Sequence, residues 1–175
     1  VKNLLLNTLF LFGLCGLALP AAASEVKVMV LDFQLNDLTN LPNAPEELAR
    51  ISYLSETFKQ KLTENGVSLV AVNKKMQDEL MANSATYFYD RVEVAAKMAA
   101  GSGADYLLIA VALKPTYLFV YPRILLVDIK TQKVVLSQAS QLESSWLDKN
   151  TTARSGVNLA VMVSEKLKEL ATPAN

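Results

Sequence analysis

The chain has no histidine, and its only cysteine is Cys15. A Ser-His-acid relay, an imidazole base and a His/Cys metal site are therefore excluded. Cys15 lies inside a leader-like segment, so the remainder has neither thiolate nor disulfide chemistry. No run of like charges occurs: Lys and Arg total 17 against 17 Asp and Glu. Such a balance does not condense on phosphates, and nucleic acid is excluded as a partner. Internal repeats, low-complexity stretches and interdomain linkers are absent as well. No Gly-rich loop leads from a strand into a helix, because Gly101-Ser102-Gly103 follows a helical pattern and precedes a strand. Those glycines fit a helix terminus and not a phosphate cradle.

An export signal is present. Lys2 precedes an apolar run over 4–19, Pro20 ends it, and Ala21-Ala22-Ala23 gives a small-x-small cleavage pattern. The run is short of the ~20 residues that span a bilayer. Cleavage after Ala23 is expected, with residues 1–23 as signal peptide and 24–175 as one periplasmic domain without a transmembrane anchor. Lipid attachment at Cys15 is disfavoured, since Leu14 stands where a lipoprotein signal has a small residue. The 152 residues that remain suffice for one packed core.

Along that domain, VKVMVLDF at 26–33 reads as a buried strand and 34–41 as a polar loop. Asn43-Ala44-Pro45-Glu46 opens a helix whose apolar stripe runs Leu48, Ile51, Leu54 or Ser55, Phe58, Leu62, and Asn65-Gly66 stops it. A short strand at 67–72 follows, then a helix capped by Asn73. Asp90-Arg91-Val92-Glu93 opens an alanine-rich helix. Strands are expected at 106–113, 124–129 and 134–142, the last two joined by a turn at 130–133, and a final helix at 152–170. The order β-α-β-α-α-β-β-β-α predicts a single α/β domain with a mixed sheet of about five strands and helices packed on it.

Two groups of residues attract attention. Asp32 ends the first strand, where open α/β sheets place ligand crevices, and Asp37 follows in the loop. If the two carboxylates converge, they form a cation site or an acid–base pair, with Lys114 or Arg123 framing an anionic ligand. If Asp32 caps a loop and Asp128 sets up its turn, no such site exists. The second group is aromatic: Tyr117, Phe119 and Tyr121 alternate between Pro115 and Pro122, facing one side of an extended segment. Exposed, they form a contact surface; covered, they form core.

Three stretches carry a resemblance: Leu31-Asp32-Phe33, Gly103-Ala104-Asp105-Tyr106-Leu107-Leu108-Ile109, and Val127-Asp128-Ile129-Lys130-Thr131 leading into Val134-Val135. Together they resemble bacterial envelope domains, namely the curli-secretion lipoprotein, the lipoprotein activators of penicillin-binding proteins and the N-terminal domain of the Tol-system propeller protein. Gln132 replaces the glycine that usually ends the third motif. More narrowly, the run over 30–48, with Gly103-Ala104-Asp105 and Lys114-Pro115, resembles a family of small exported bacterial proteins without an assigned activity. Its members are often encoded beside quinoprotein alcohol dehydrogenase systems. What these resemblances imply is a non-catalytic binding or accessory protein with periplasmic or envelope partners, no cofactor and no catalytic or metal residues. The expected partner surface is Asp32, Asn36, Asp37, Thr39, Tyr117, Phe119 and Tyr121. The alternative is a small-ligand or cation binder, or an enzyme, using Asp32 and Asp37.

Overall fold

The computed structural model describes residues 25–40, 42–140 and 148–172, so the leader and Cys15 lie outside the described residues. A six-stranded mixed sheet carries helices on both faces. Strands β1 (Lys27–Val30) and β2 (Gln34–Asp37) come first, followed by helix α1 (Pro45–Glu64) and β3 (Ser68–Val70). Helices α2 (Lys74–Ala82), α3 (Tyr87–Asp90) and α4 (Val92–Ala99) precede β4 (Tyr106–Lys114), β5 (Tyr121–Asp128), β6 (Lys133–Ala139) and helix α5 (Lys149–Ala171). The strand order is β3-β1-β4-β5-β6, with β2 also paired to β4. β1, β2 and β3 run parallel to their neighbours, while β4–β5 and β5–β6 are antiparallel hairpins.

Period-two alternation divides the core. Val28, Val30, Leu108, Ala110, Ile124 and Leu126 face α1 and α5, whereas Met29, Leu31, Leu107, Ile109, Leu125 and Val127 face α2, α3 and α4. Both sheet faces are covered, which is why β1, β4 and β5 read as near-continuous apolar runs. The small face of α4, Ala95, Ala96 and Ala99, is fully buried on the sheet. α1 and α5 approach closely at Gly156, where a Cβ would stand 3.3 Å from Leu54 Cδ1 and 3.4 Å from its carbonyl oxygen.

The expected loop at 34–41 is in part a strand, and this changes the count from about five strands to six. β4 is nine residues long, but β1 pairs only with its first part, Val28↔Tyr106 to Val30↔Leu108. The rest of β4 needs backbone partners, and β2 supplies them from Gln34↔Val111 to Asp37↔Lys114. Four steps along this segment match three on β4, so a bulge at 31–33 separates the two pairings.

Helix ends differ in detail from the sequence reading. Ala44 and not Asn43 is the N-cap of α1, with Pro45 in its first turn and Asn43 at φ +62. Asn73 does cap α2, accepting the Met76 N–H at 2.9 Å. α5 begins earlier than 152, because Asp148 accepts the Asn150 N–H at 2.8 Å and the Thr151 hydroxyl at 3.1 Å. Gly101 and Gly103 hold positive φ just past α4, as a helix terminus requires. In the β5–β6 turn, Gln132 takes φ +58, the conformation the usual glycine would adopt.

Candidate functional site: the carboxyl pole of β2 and β4

Every feature of interest at this pole is set by Lys114, the last residue of β4. Its Nζ lies 2.8 Å from Glu47 Oε1 and 3.2 Å from Asp37 Oδ2. The side chains are 3%, 10% and 1% exposed for Lys114, Glu47 and Asp37, so the ion cluster is desolvated. Asp37 arrives from the end of β2, and its Oδ1 also accepts the Thr39 N–H at 3.0 Å. Glu47 comes from the first turn of α1, on the buried stripe with Ile51, Leu54 and Phe58. Burial pushes the Asp37 carboxyl up, but hydrogen bonds from Thr39 and Lys114 outweigh it and hold the group below its ordinary value. Burial likewise lowers Lys114, yet the hydrogen bonds and charges of Glu47 and Asp37 win and leave its pKa raised.

The segment after Lys114 connects β4 to β5. Tyr117 places its ring 5.6 Å from Lys114 Nζ, a cation–π contact over the buried ammonium. Val120 is buried and pins the loop, while Phe119 and Tyr121 stack with centroids 6.4 Å apart. The remaining apolar side chains stand in solvent: Tyr117 58%, Leu118 75%, Phe119 53%, Tyr121 36% and, across the pole, Leu38 62% exposed. The Leu38 N–H donates to the Lys114 carbonyl at 3.0 Å, so the β2–α1 connection and the tip of the β4–β5 hairpin meet there. Between Pro115 and Pro122 the tip carries no charge.

Of the sequence candidates, Asp37, Thr39 and Tyr117 come together around Lys114, with Phe119 and Tyr121 beside them. Asn36 is half-buried on β2. Asp32 does not join them: it is solvent-facing and pairs with Lys59 of α1 at 2.7 Å. The Asp32 and Asp37 carboxylates thus have different partners and do not converge. Lys114 frames no external anion, because its ammonium is occupied by two internal carboxylates. Arg123 is exposed on β5 opposite Val111, and Asp128 accepts the Thr131 N–H at 2.8 Å in its own turn. Among the described residues, no three carboxylates are grouped to hold a metal ion.

Sequence reasoning missed Glu47, Leu38 and Leu118. Glu47 carried a signal, since it stands one turn before Ile51 on the apolar stripe where a carboxylate has no business unless paired. Leu48, expected on that stripe, is instead exposed beside it. Lys114 closing the apolar run YLLIAVALK is the matching signal of opposite sign.

Fold and pole together define a single α/β domain with a mixed six-stranded sheet. Residues 26–153 match the model of the family described as protein of unknown function (DUF2380), and the chain belongs to that family. No curated protein matches it in sequence. Among solved structures it is similar to the hypothetical protein CT253 from Chlamydia trachomatis, with TM-score 0.50 and 12% identity over 82% of this chain and 99% of that one. It is also similar to the LpoB C-terminal domain from Salmonella enterica, with TM-score 0.45 and 19% identity over 69% of this chain and 84% of that one. A PelC dodecamer from Paraburkholderia phytofirmans gives TM-score 0.45 and 14% identity over 79% of this chain and 86% of that one. These likenesses concern the fold. No helix among the described residues is long and apolar enough to cross a membrane.

Proposed function

We propose that the chain is a non-catalytic binding module of the bacterial periplasm, exported by residues 1–23, whose partner surface is the aromatic tip with the adjoining β2–α1 connection. One observation carries this reading. Tyr117, Leu118, Phe119 and Tyr121 are exposed side by side on an uncharged hairpin tip. Large aromatics that lose solvent on association dominate interface energetics, and a soluble surface rarely leaves several together without use. The tip is held at its root by Val120 and by Tyr117 over Lys114, so little conformational freedom is lost on docking. The competing reading, a cation or small-anion site built on Asp32 and Asp37, is not supported by their geometry.

The resemblance to exported proteins encoded beside quinoprotein alcohol dehydrogenase systems makes such a dehydrogenase the first partner to try. The test uses a purified periplasmic quinoprotein alcohol dehydrogenase and a periplasmic extract, each offered to the wild type and to a folded Tyr117→Ala/Tyr121→Ala double variant. A specific partner held by the wild type and released by the variant is expected, each aromatic costing about 2 kcal/mol or more if it is a hot spot. A folded double variant that keeps every partner of the wild type would sink the assignment of the tip.

A further inference from the structure

Among the described residues, β2 is bonded on one side only. Beside β1 the outer lane of the sheet is filled by β3, which ends at Val70 opposite Met29. Beyond that point β2 runs along β4, and among the described residues no strand pairs with its outer side. In a parallel ladder alternate residues turn their main-chain groups to opposite sides. Because the Leu38 N–H donates to Lys114, residues 34, 36 and 38 face β4, and Phe33, Leu35 and Asp37 face outward. The outward Phe33 N–H is satisfied by Ser55 Oγ of α1 at 3.0 Å. For the Leu35 and Asp37 main chains no outer-side partner exists among the described residues.

We propose that this open edge takes an extended peptide segment of a partner protein, added as a further strand in the groove between β2 and α1. The groove encloses about 520 Å³, with Gln34 and Leu35 on the strand side and Leu48, Ile51, Ser55 and Lys59 on the helix side. Outward N–H and C=O groups on alternate residues are matched by an extended backbone, the recognition mode of strand addition. Leu48 is exposed and Leu35 half-buried, so they seat an aliphatic side chain that drops toward α1. β2 is short, follows a bulge and turns its only charge, Asp37, inward to Lys114, the devices by which natural edges limit indiscriminate pairing, so the edge admits a short segment and not a long flat strand. A second copy of the chain is the poorer occupant: ten residues line the groove, against roughly 20–30 a side in a standard stable interface. The proposal is independent of the aromatic tip and goes beyond it by naming the form of the bound segment.

The probe is a displayed library of random heptapeptides panned on the immobilised chain, with enriched sequences remade synthetically. Enriched peptides should carry an aliphatic residue between β-branched ones. They should slow hydrogen exchange at the Leu35 and Asp37 amides about tenfold or more while leaving Asn36 unchanged. N-methylation of the alternate peptide amides that face β2 should abolish binding, and so should Leu35→Pro, which removes an N–H that the ladder with β4 does not use. Should Leu35→Pro fail to fold, the N-methylated peptides and Leu48→Asp carry the test. The Tyr117→Ala/Tyr121→Ala variant should bind the same peptides as the wild type. Failure to enrich any sequence, binding that survives N-methylation, or unchanged exchange at Leu35 and Asp37 would each overturn the proposal. Peptides lost in the tip variant but kept by Leu35→Pro would overturn it too, while supporting the tip. Concentration-dependent protection of these amides without peptide would overturn it in favour of self-association.

Discussion

Replacing Lys114 by methionine keeps the volume of the side chain and removes its charge. Two carboxylates, Asp37 and Glu47, would then lie within reach of one another in a desolvated site without the ammonium that bridges them at 3.2 and 2.8 Å. Breaking a buried ion pair by deleting one partner costs about 3–5 kcal/mol, because the remaining charge is uncompensated. Asp37 keeps the Thr39 N–H bond, which places the expected loss toward the lower end. In a domain of this size each kcal/mol lowers Tm by about 2–4 °C, so a loss of about 3–4 kcal/mol corresponds to a drop of roughly 6–16 °C. The pH dependence supplies a sharper check. The lowered pKa of Asp37 contributes stability that is present above its unfolded value, near ~4, and lost as pH falls through the lower folded value. The raised pKa of Lys114 contributes stability that is full below its unfolded value, near ~10.4, and lost as pH rises through the higher folded one. Without the ammonium, protonating a carboxylate relieves the variant, so its deficit against wild type should shrink as the pH is lowered from neutral toward the carboxylate range. Urea unfolding at several pH values reads this directly. A neutral-pH deficit under about 1 kcal/mol, below the usual worth of a broken buried pair, would refute the reasoning. A deficit that grows on acidification would refute it too.

Two further substitutions probe the scaffold. Leu31→Ala removes a side chain that is 1% exposed among Met29, Leu107 and the α4 alanines, and should cost about 2–5 kcal/mol in urea unfolding. A wild-type melt would mean that the first strand is misplaced. Gln132→Gly relieves a left-handed residue at φ +58 and should raise stability by up to about 1 kcal/mol, less the extra backbone entropy of glycine. A loss in thermal melts would show that the half-buried Gln132 side chain contributes more than its backbone strain costs.

The strands buried on both faces were legible because their apolar runs are unbroken, and α4 because its alanines share one face. β2 was not legible, since QLND has neither an apolar run nor a clean alternation. Its strand character comes from outside itself: β4 outruns β1, and a bulge at 31–33 lets the chain follow it. β5 begins at Tyr121, earlier than the expected 124, for a related reason. Proline at a strand end sacrifices no ladder bond when its N–H position is not needed, and here it pairs with Ala112 while its carbonyl accepts from Ser140. The aromatic tip was legible as a cluster but not as a surface, because alternation states which side chains share a face and not whether another element covers it. The ion cluster was legible only in its parts, a carboxylate on the apolar stripe of α1 and a lysine closing an apolar strand. Joining them required the β4 register to bring residues 47 and 114 to one pole.

That cluster also bears on why the pole is built as it is. Stability alone does not account for it. Taking three charges out of water carries a desolvation penalty of several kcal/mol per ion, and well-packed apolar residues of similar volume often do as well or better. What apolar residues lack is direction. Lys114 can satisfy Asp37 and Glu47 together only if the end of β2, the first turn of α1 and the end of β4 keep one mutual geometry. Those three segments frame both the root of the aromatic tip and the open edge of β2. The same ammonium supports the Tyr117 ring from beneath and turns the one charge of β2 away from solvent. A loose pole would leave the tip free to fold back onto Leu38 and the edge free to twist out of register. The ion cluster therefore makes physical sense as a fixture that would hold the two proposed contact surfaces in place, beside the two apolar cores that the sheet divides.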